Sequence, residues 1–322
     1  MRLTCRVAVG FALPFRWRTA VPVAAAVLSA ACATQPDGPL VRLDRLEPLP
    51  TRAAMSAAPL RVAIAAVFSP KGTVESYQPL LDALGQRLNR PVSLVQRRTY
   101  AEVNDLVRSG DVDMALVCTS AYVQGHDAFG MDLLAAPVVR GRTVYHSVLI
   151  VQASSTARSM AELEGHVFAF TDPMSNSGRA YPTHLVRQLG KTPESFFGRT
   201  FFTYSHDDAI RAVAAGTADG AAVDSLVFEN ALARDPALGN RVRVIHRSPP
   251  FGIPPAVVGP GVRPQLREAL REALREALLG LDRTDEGRAA LAAAGIDRFT
   301  MVDDSAYDSV RDLVAVAGLQ TR

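Results

Sequence analysis

The chain has 322 residues, 48% hydrophobic and 21% charged, enough apolar surface for one large core or two ordinary ones, which excludes disordered and fibrous classes. The formal charge is +3, but Arg2, Arg6, Arg16 and Arg18 fall in the first 18 residues and leave −1 for all that follows. A nearly neutral body whose arginines are scattered among acids argues against nucleic-acid binding, and three cysteines without a CxxC or Cys/His spacing argue against a disulfide framework or structural zinc.

The four arginines precede the apolar run Val21 to Ala31, the charged and apolar parts of an export signal, so residues 1–31 read as a signal peptide. At about 11 residues the run is shorter than the roughly 20 that cross a bilayer. Leu28-Ser29-Ala30-Ala31-Cys32 resembles a bacterial lipobox, with Cys32 as the lipidated first residue and Ser29 where an aliphatic residue is usual. Cleavage after Ala31-Cys32-Ala33, leaving a soluble protein, is the alternative. Either way the protein is exported and Cys118 is its one remaining free thiol. Residues 32–59, with Pro36, Pro39, Pro48, Pro50 and Pro59 and no sustained period, read as a tether.

From Leu60 onward, strand-like and helix-like segments alternate. A buried strand is expected over Leu60–Val67, a helix over Tyr77–Leu88, a strand over Val92–Gln96, a helix over Tyr100–Ser109 and a strand over Met114–Val117. There follow a strand over Ser147–Val151, a helix near Ser159–Leu163, a strand over Val167–Phe170, a helix from about Gly178 to Leu189 and a strand near Thr200–Thr203. A helix over Asp207–Ala215 then leads to strands at Gly220–Val223 and Arg243–His246. Two successive α/β units predict two lobes. The strongest helix signal is Pro264–Leu279, where Leu266, Leu270, Leu274 and Leu278 make one stripe and Glu268 with Arg271 and Glu272 with Arg275 make i,i+3 pairs. Its three-fold Arg-Glu-Ala-Leu repeat is too short for a coiled coil and predicts a helix packed on its own domain. Glu286–Ala294 and Ser305–Ala317 read as closing helices.

Several short stretches could carry chemistry. Phe170-Thr-Asp-Pro-Met-Ser-Asn-Ser-Gly178 puts a strand end, a turn, and then Ser175, Asn176 and Ser177 at a helix start. Free N–H groups and the positive end of the dipole suit an oxyanion there, although a plain N-cap uses the same residues. His206 stands at the end of another strand, where α/β folds place ligands, with a surface or capping role as its alternative; Asp207 or Asp208 is the more natural cap of the helix that follows. Asp224 follows a third strand and could accept a hydrogen bond from a protonated ligand oxygen, or simply cap a helix. Tyr100 and Tyr145 flank strands of the first unit, with Tyr77 and Tyr122 near helices, and each could close over a ligand or merely pack. Cys118 could line the same cleft. Ser175 or Ser177 with His206 and Asp224 has the residue types of a hydrolase triad, but there is no G-x-S-x-G elbow and the chain order is unfamiliar, so catalysis is not expected. No P-loop, GxGxxG or metal-spaced histidine pair occurs.

Taken in order, Tyr77-Gln-Pro-Leu80, Thr99-Tyr-Ala-Glu102, Ser109-Gly-Asp-Val-Asp113, Tyr145-His-Ser-Val-Leu-Ile150, Ala161-Glu-Leu-Glu-Gly165, Phe168-Ala-Phe-Thr-Asp-Pro173, Ser175-Asn-Ser-Gly178, Ser205-His206, Ala222-Val-Asp-Ser225, Val244-Ile-His-Arg-Ser-Pro249 and Tyr307-Asp-Ser-Val-Arg311 resemble the phosphate/phosphite/phosphonate-binding lipoproteins of ABC importers, from about Leu60 to Leu319. The resemblance implies a type II periplasmic-binding-protein fold: two α/β lobes joined by two hinge strands, near Ser147–Gln152 and Val242–Arg247, and closing over a ligand. Lobe one would be 60–148 plus 248–319 and lobe two 149–247. It also implies that Ser175, Asn176 and Ser177 grip phosphonyl oxygens, with His206, Asp224, Tyr100 and Tyr145 completing the ligand set, and no cofactor or metal. Asn176 stands where threonine is common, and Val117-Cys118-Thr119 where many relatives have a Gly-Pro step. Beyond Asp224 the matched stretches offer no carboxylate for an ammonium group, and Leu226 and Pro254 occupy wall positions, so the expected ligand is phosphite or a small alkylphosphonate, with phosphate admitted. The implied partners are a membrane permease and its ATPase, with a lipid-anchored, monomeric protein delivering the anion to them. The alternative is a ligand-binding sensor that docks on a separate membrane receptor.

Overall fold

The computed structural model describes residues 58–261 and 264–319. The signal peptide, Cys32 and the tether up to residue 57 therefore lie outside the described residues. The elements run β1 (Leu60–Ile64), α1 (Pro70–Arg87), β2 (Val92–Gln96), α2 (Tyr100–Ser109), β3 (Met114–Leu116), α3 (Thr119–Phe129), β4 (Asp132–Val138), β5 (Val144–Tyr145), β6 (Ser147–Gln152), β7 (Val167–Phe170), α4 (Tyr181–Gln188), α5 (Pro193–Phe196), β8 (Arg199–Phe202), α6 (His206–Ala214), β9 (Gly220–Asp224), α7 (Ser225–Arg234), β10 (Val242–Arg247), β11 (Phe251–Gly252), β12 (Ala256–Val258), α8 (Pro264–Leu279), α9 (Asp285–Ala293), β13 (Arg298–Thr300) and α10 (Asp308–Ala317).

Two sheets result. A six-stranded sheet has the order β13-β4-β12-β3-β1-β2, with β1 parallel to β2 and β3 and with β12 and β13 antiparallel to their neighbours. A five-stranded sheet has the order β10-β6-β9-β7-β8, its β7 parallel to β8 and β9. The chain enters the second sheet on β6 and leaves it on β10, and these two strands pair antiparallel. Each sheet with its helices makes a lobe, and the central strands β3, β7 and β9 are almost wholly apolar and buried, as strands with both faces covered must be, whereas the edge strands β2 and β8 keep polar, partly exposed residues. At the crossover, Ser147 N–H donates to Ser248 Oγ at 2.8 Å and Ser248 N–H returns to the Ser147 carbonyl at 2.9 Å.

Local sequence accounts for much of this. α2 starts at a capping box, Glu102 N–H donating to Thr99 Oγ1 at 3.2 Å and Thr99 N–H to Glu102 Oε2 at 2.9 Å, and stops at Gly110 with φ +77°. α8 spans the expected residues; Leu274 and Leu278 are buried and Leu270 packs against the same core, while the Leu266 side chain lies outside the described ones. The Glu268–Arg271 and Glu272–Arg275 pairs close at 2.8 Å each, but their exposed carboxylates make them worth little.

Several expectations need correction. β1 ends at Ile64, not Val67, because its neighbour β3 ends at Leu116, whose carbonyl takes the Ala65 N–H at 2.9 Å, after which the chain turns away. α1 begins at Pro70, seven residues before the expected Tyr77; proline is well placed at the first helical position, where its missing N–H is not needed, and Pro79 is carried inside the helix. The helix expected near Ser159–Leu163 is a single 3-10 turn, Ala161–Leu163. The one expected from Gly178 opens earlier, as a wide π turn over Asn176–Ala180 that runs into α4. α3, α5, α7, β4, β5, β11, β12 and β13 have no counterpart among the expected segments. Thr119 to Val123, the first five residues of α3, are buried, as is Gly125, so the first two turns carry no amphipathic stripe to read.

Candidate functional site

Strand ends and helix starts of both lobes meet at one place, and Tyr100, Tyr145, Ser175, Asn176, Ser177, His206 and Asp224 are all there, none more than 4% exposed. In the second lobe, β7 ends at Phe170 and the chain turns at Asp172-Pro173 into Ser175, the N-cap of the π turn, whose Oγ accepts the Gly178 N–H at 3.0 Å. Gly178 is needed because a Cβ there would collide with the Thr171 side chain. Ser175 thus fills the capping role that sequence left open. The Asn176 amide donates to the Tyr145 hydroxyl at 3.0 Å, and the Ser177 carbonyl accepts from the Ser147 hydroxyl at 2.7 Å, which ties the turn to the crossover.

His206 opens α6, and its Nδ1 lies 3.0 Å from the Asp224 backbone nitrogen. A backbone N–H can only donate, so Nδ1 must carry the lone pair. Burial pushes the imidazole down to about 3 even against the nearby Asp207 charge, so the ring is neutral and its proton sits on Nε2. The N-cap of α6 is Ser205, whose Oγ accepts from Asp208 N–H at 3.3 Å, not Asp207 or Asp208 as expected.

Asp224 ends β9 and caps α7, its Oδ1 accepting from Leu226 N–H at 2.7 Å and Val227 N–H at 3.4 Å. Burial nevertheless pushes this carboxyl up to about 7 against those two bonds, with the Glu229 charge adding to the rise. Its carboxylate does not orient His206; only its backbone N–H touches the ring. A Ser-His-Asp relay therefore does not form from these residues.

In the first lobe, Tyr100 opens α2 and Tyr145 lies on β5. Burial pushes both phenols well above their ordinary value, with the Cys118 and Asp224 charges adding to it, so both hydroxyls keep their protons and can donate. The Tyr100 hydroxyl, Asn176 Oδ1 and Thr171 Oγ1 are buried without a hydrogen-bond partner among the described residues, a cost that protein interiors seldom carry without a reason. Cys118 lies directly after β3, and burial pushes its thiol up to about 11 against the pull of the Asn176 and Ser120 N–H groups. It is no activated nucleophile. Tyr77 is pushed up to about 12, by burial and then by the Asp224 charge, whereas Tyr122 belongs elsewhere, donating to Asp304 at 2.6 Å.

Sequence reasoning missed the residues that join the lobes. Asp172 accepts from Tyr100 N–H across the cleft at 3.1 Å and from Met174 N–H at 2.7 Å, and burial pushes it up to about 6 against those bonds. Asp-Pro directly after a strand was its only signal. Asp207 accepts from the backbone N–H and the hydroxyl of Ser69 at 2.8 and 2.7 Å, and so holds the N-cap residue of α1 in the other lobe. Ser120 donates to the Met174 carbonyl, His206 N–H donates to the Val67 carbonyl at 2.9 Å, and Arg98 stacks 4.3 Å from the Tyr204 ring centroid. Tyr204 has φ +61°, a costly conformation for an aromatic residue, just before Ser205 and His206. With these contacts made, the cleft is shut.

The result is a buried set of uncharged donors, a carboxyl that exchanges its proton near neutrality, and a helix-type N-terminus. Such a set suits a small oxyanion held by hydrogen bonds and dipoles rather than by an ion pair. Among the described residues no group of three or more His, Cys, Asp or Glu side chains is disposed to hold a metal.

Comparison with known proteins agrees in fold. A family model for the periplasmic substrate-binding protein of phosphonate ABC transporters matches residues 62–307. The phosphate-import protein PhnD of Mycolicibacterium smegmatis is 27% identical over 184 residues, which is 54% of this chain and 57% of that protein, so the match spans little more than half of the relative's length. Among solved structures, the binding-protein component of an ABC phosphonate transporter from Pseudomonas aeruginosa superposes with a TM-score of 0.74 at 23% identity, over 80% of this chain and 86% of that one. PhnD1 of Prochlorococcus marinus, solved with methylphosphonate, gives 0.73 at 19% identity, over 81% and 98%. These likenesses establish the type II periplasmic-binding-protein fold expected from the sequence. With the family model covering most of its length, the chain belongs to the periplasmic substrate-binding proteins of phosphonate ABC transporters.

Proposed function

We propose that this protein is the extracytoplasmic solute-binding component of an ABC importer, which captures a small phosphorus oxyanion between its lobes and delivers it to a membrane permease driven by an ATPase. Its ligand is phosphite or an alkylphosphonate, with phosphate admitted. The observation that carries this reading is the buried donor set facing both lobes: Tyr100 and Asn176 with unpartnered polar atoms, and His206 held as a neutral donor at Nε2 by the Asp224 N–H. Ser175, Ser177 and Tyr145 complete the grip. The role is binding rather than chemistry, because no side chain in the set is an activated nucleophile. The relative named for phosphate import and the neighbour solved with methylphosphonate support the ligand class.

Asp224 narrows the choice. With its carboxyl pushed up to about 7, a single proton can be shared between Asp224 and a ligand oxygen. Phosphite, phosphonates and phosphate can take part in that exchange near neutrality, and sulfate cannot. Closure is a population shift that the anion drives by touching groups of both lobes at once. The mature protein works as a monomer, tethered to the membrane through a lipid on Cys32.

Calorimetric titration with phosphite, methylphosphonate, 2-aminoethylphosphonate, phosphate and sulfate tests the reading. Tight binding of one phosphorus oxyanion over sulfate is expected. Silence from all five in a folded protein would overturn it.

A further inference from the structure

Asp224 also borders a cavity of about 100 Å³. Ile64 and Leu116 at the ends of β1 and β3, Val227 on the first turn of α7, and Ile253, Ile296 and Phe299 supply much of its wall. Of the 19 residues that line it, Asp224 alone is charged, and Tyr77 and Asn230 are the only others with polar side chains. The cavity adjoins the donor set at two points. Asp224 borders both, and Ala65, another of its lining residues, packs in one cluster with Tyr100 and Cys118.

Resting on the reading of the cleft as a phosphorus-oxyanion site, we infer that this cavity receives the organic substituent of the ligand, and that the substituent is a short uncharged alkyl chain. Size sets its length. The cavity is smaller than the ~150 Å³ cavity that holds a benzene ring, so it takes a chain of a few carbons rather than a ring. Lining sets its chemistry. Water entering would find few partners, so methylenes replace it with gain. An ammonium group would meet one carboxylate, whose Oδ1 already accepts two backbone N–H groups, and would be buried without a full set of acceptors. A methylphosphonate leaves most of the cavity unfilled.

The test titrates the full chain with methyl-, ethyl-, propyl-, butyl-, phenyl- and 2-aminoethylphosphonate by calorimetry. Each added methylene up to propyl should tighten binding about fourfold, with butyl near the limit and phenyl weaker than propyl. 2-Aminoethylphosphonate should bind more weakly than propylphosphonate, which has the same chain length. Propyl no tighter than methyl, or aminoethyl tighter than propyl, would overturn the inference while leaving the oxyanion reading intact; no binding of any member would overturn both. Val139→Phe and Leu116→Phe, which narrow the cavity from half-buried positions, should each bring the ratio of propyl to methyl affinity down to about one. If both variants keep the preference, the substituent lies elsewhere and the inference fails.

Discussion

Asp207 belongs to the first turn of α6, yet its carboxylate reaches Ser69, the N-cap residue of α1 in the other lobe, accepting the Ser69 N–H at 2.8 Å and the Ser69 hydroxyl at 2.7 Å. Burial acts to raise this carboxyl, but the two Ser69 bonds and Arg211, 3.1 Å away, outweigh it and hold the group below its ordinary value. It is therefore ionised at neutral pH. When the lobes part, both bonds are exchanged for water, so their net contribution acts on closure and not on the folding of either lobe. Hydrogen bonds to charged groups contribute about 1.5–3 kcal/mol net, and the lower end applies to two bonds on one serine whose hydroxyl keeps some access to water. Asp207→Ala should thus disfavour the closed state by about 2 kcal/mol, which is about 30-fold in apparent affinity when the free protein is mostly open. Calorimetric titration with methylphosphonate reads the affinity, and small-angle scattering of the free and ligand-saturated variant reads closure. A dissociation constant within twofold of wild type would refute the reasoning.

The other predictions concern the donor set, the buried carboxyl and the core. Ser177→Ala and His206→Ala should each weaken oxyanion binding by at least about tenfold, the order of one hydrogen bond to a charged group, with an unchanged circular dichroism spectrum; unchanged affinity in both would remove the proposed pocket. Asp224, raised from 3.8 to about 7 in the folded protein, holds a proton that the unfolded chain releases between those values, so its ionisation costs stability as pH rises through that window and the full cost is present above it. Asp224→Asn keeps a capping oxygen and abolishes the effect: its stability advantage over wild type, followed by thermal denaturation, should be absent near pH 4, grow through pH 7 and level off, reaching no more than about 4 kcal/mol, and a difference flat across that range would count against the buried carboxyl. Leu274, fully buried on α8, should cost about 2–5 kcal/mol on truncation to alanine, seen as a lower denaturant midpoint; a loss under 0.5 kcal/mol, on the order of a surface change, would mean that α8 does not pack as described.

The alternation of apolar strands with helices, and the unbroken leucine stripe of α8, are properties of local sequence. Both were legible because a period of two or of 3.6 residues survives any tertiary arrangement. So was the clustering of Ser175, Asn176, Ser177, His206 and Asp224 at strand ends, since in an α/β lobe the parallel strands deliver their C-terminal ends to one edge. The short stretches that resemble one protein family carried the rest of the sequence reading, including the two strands that cross between lobes.

Tertiary structure decided what local pattern cannot encode. α3 is buried over most of its first two turns and so has no stripe, and the N-cap residue of α1, Ser69, is held by Asp207, 138 residues away. Asp172 reaches Tyr100 over 72 residues. The neutral state and fixed tautomer of His206 depend on burial and on one N–H from β9. Whether Asp224 serves as cap or as proton partner could not be read from its neighbours in the chain, because its bonds are local while its raised pKa comes from the lobes that enclose it. Residue types and their periods set which elements form; the desolvation and the cross-cleft hydrogen bonds that make a site of them exist only once both lobes close around the same space.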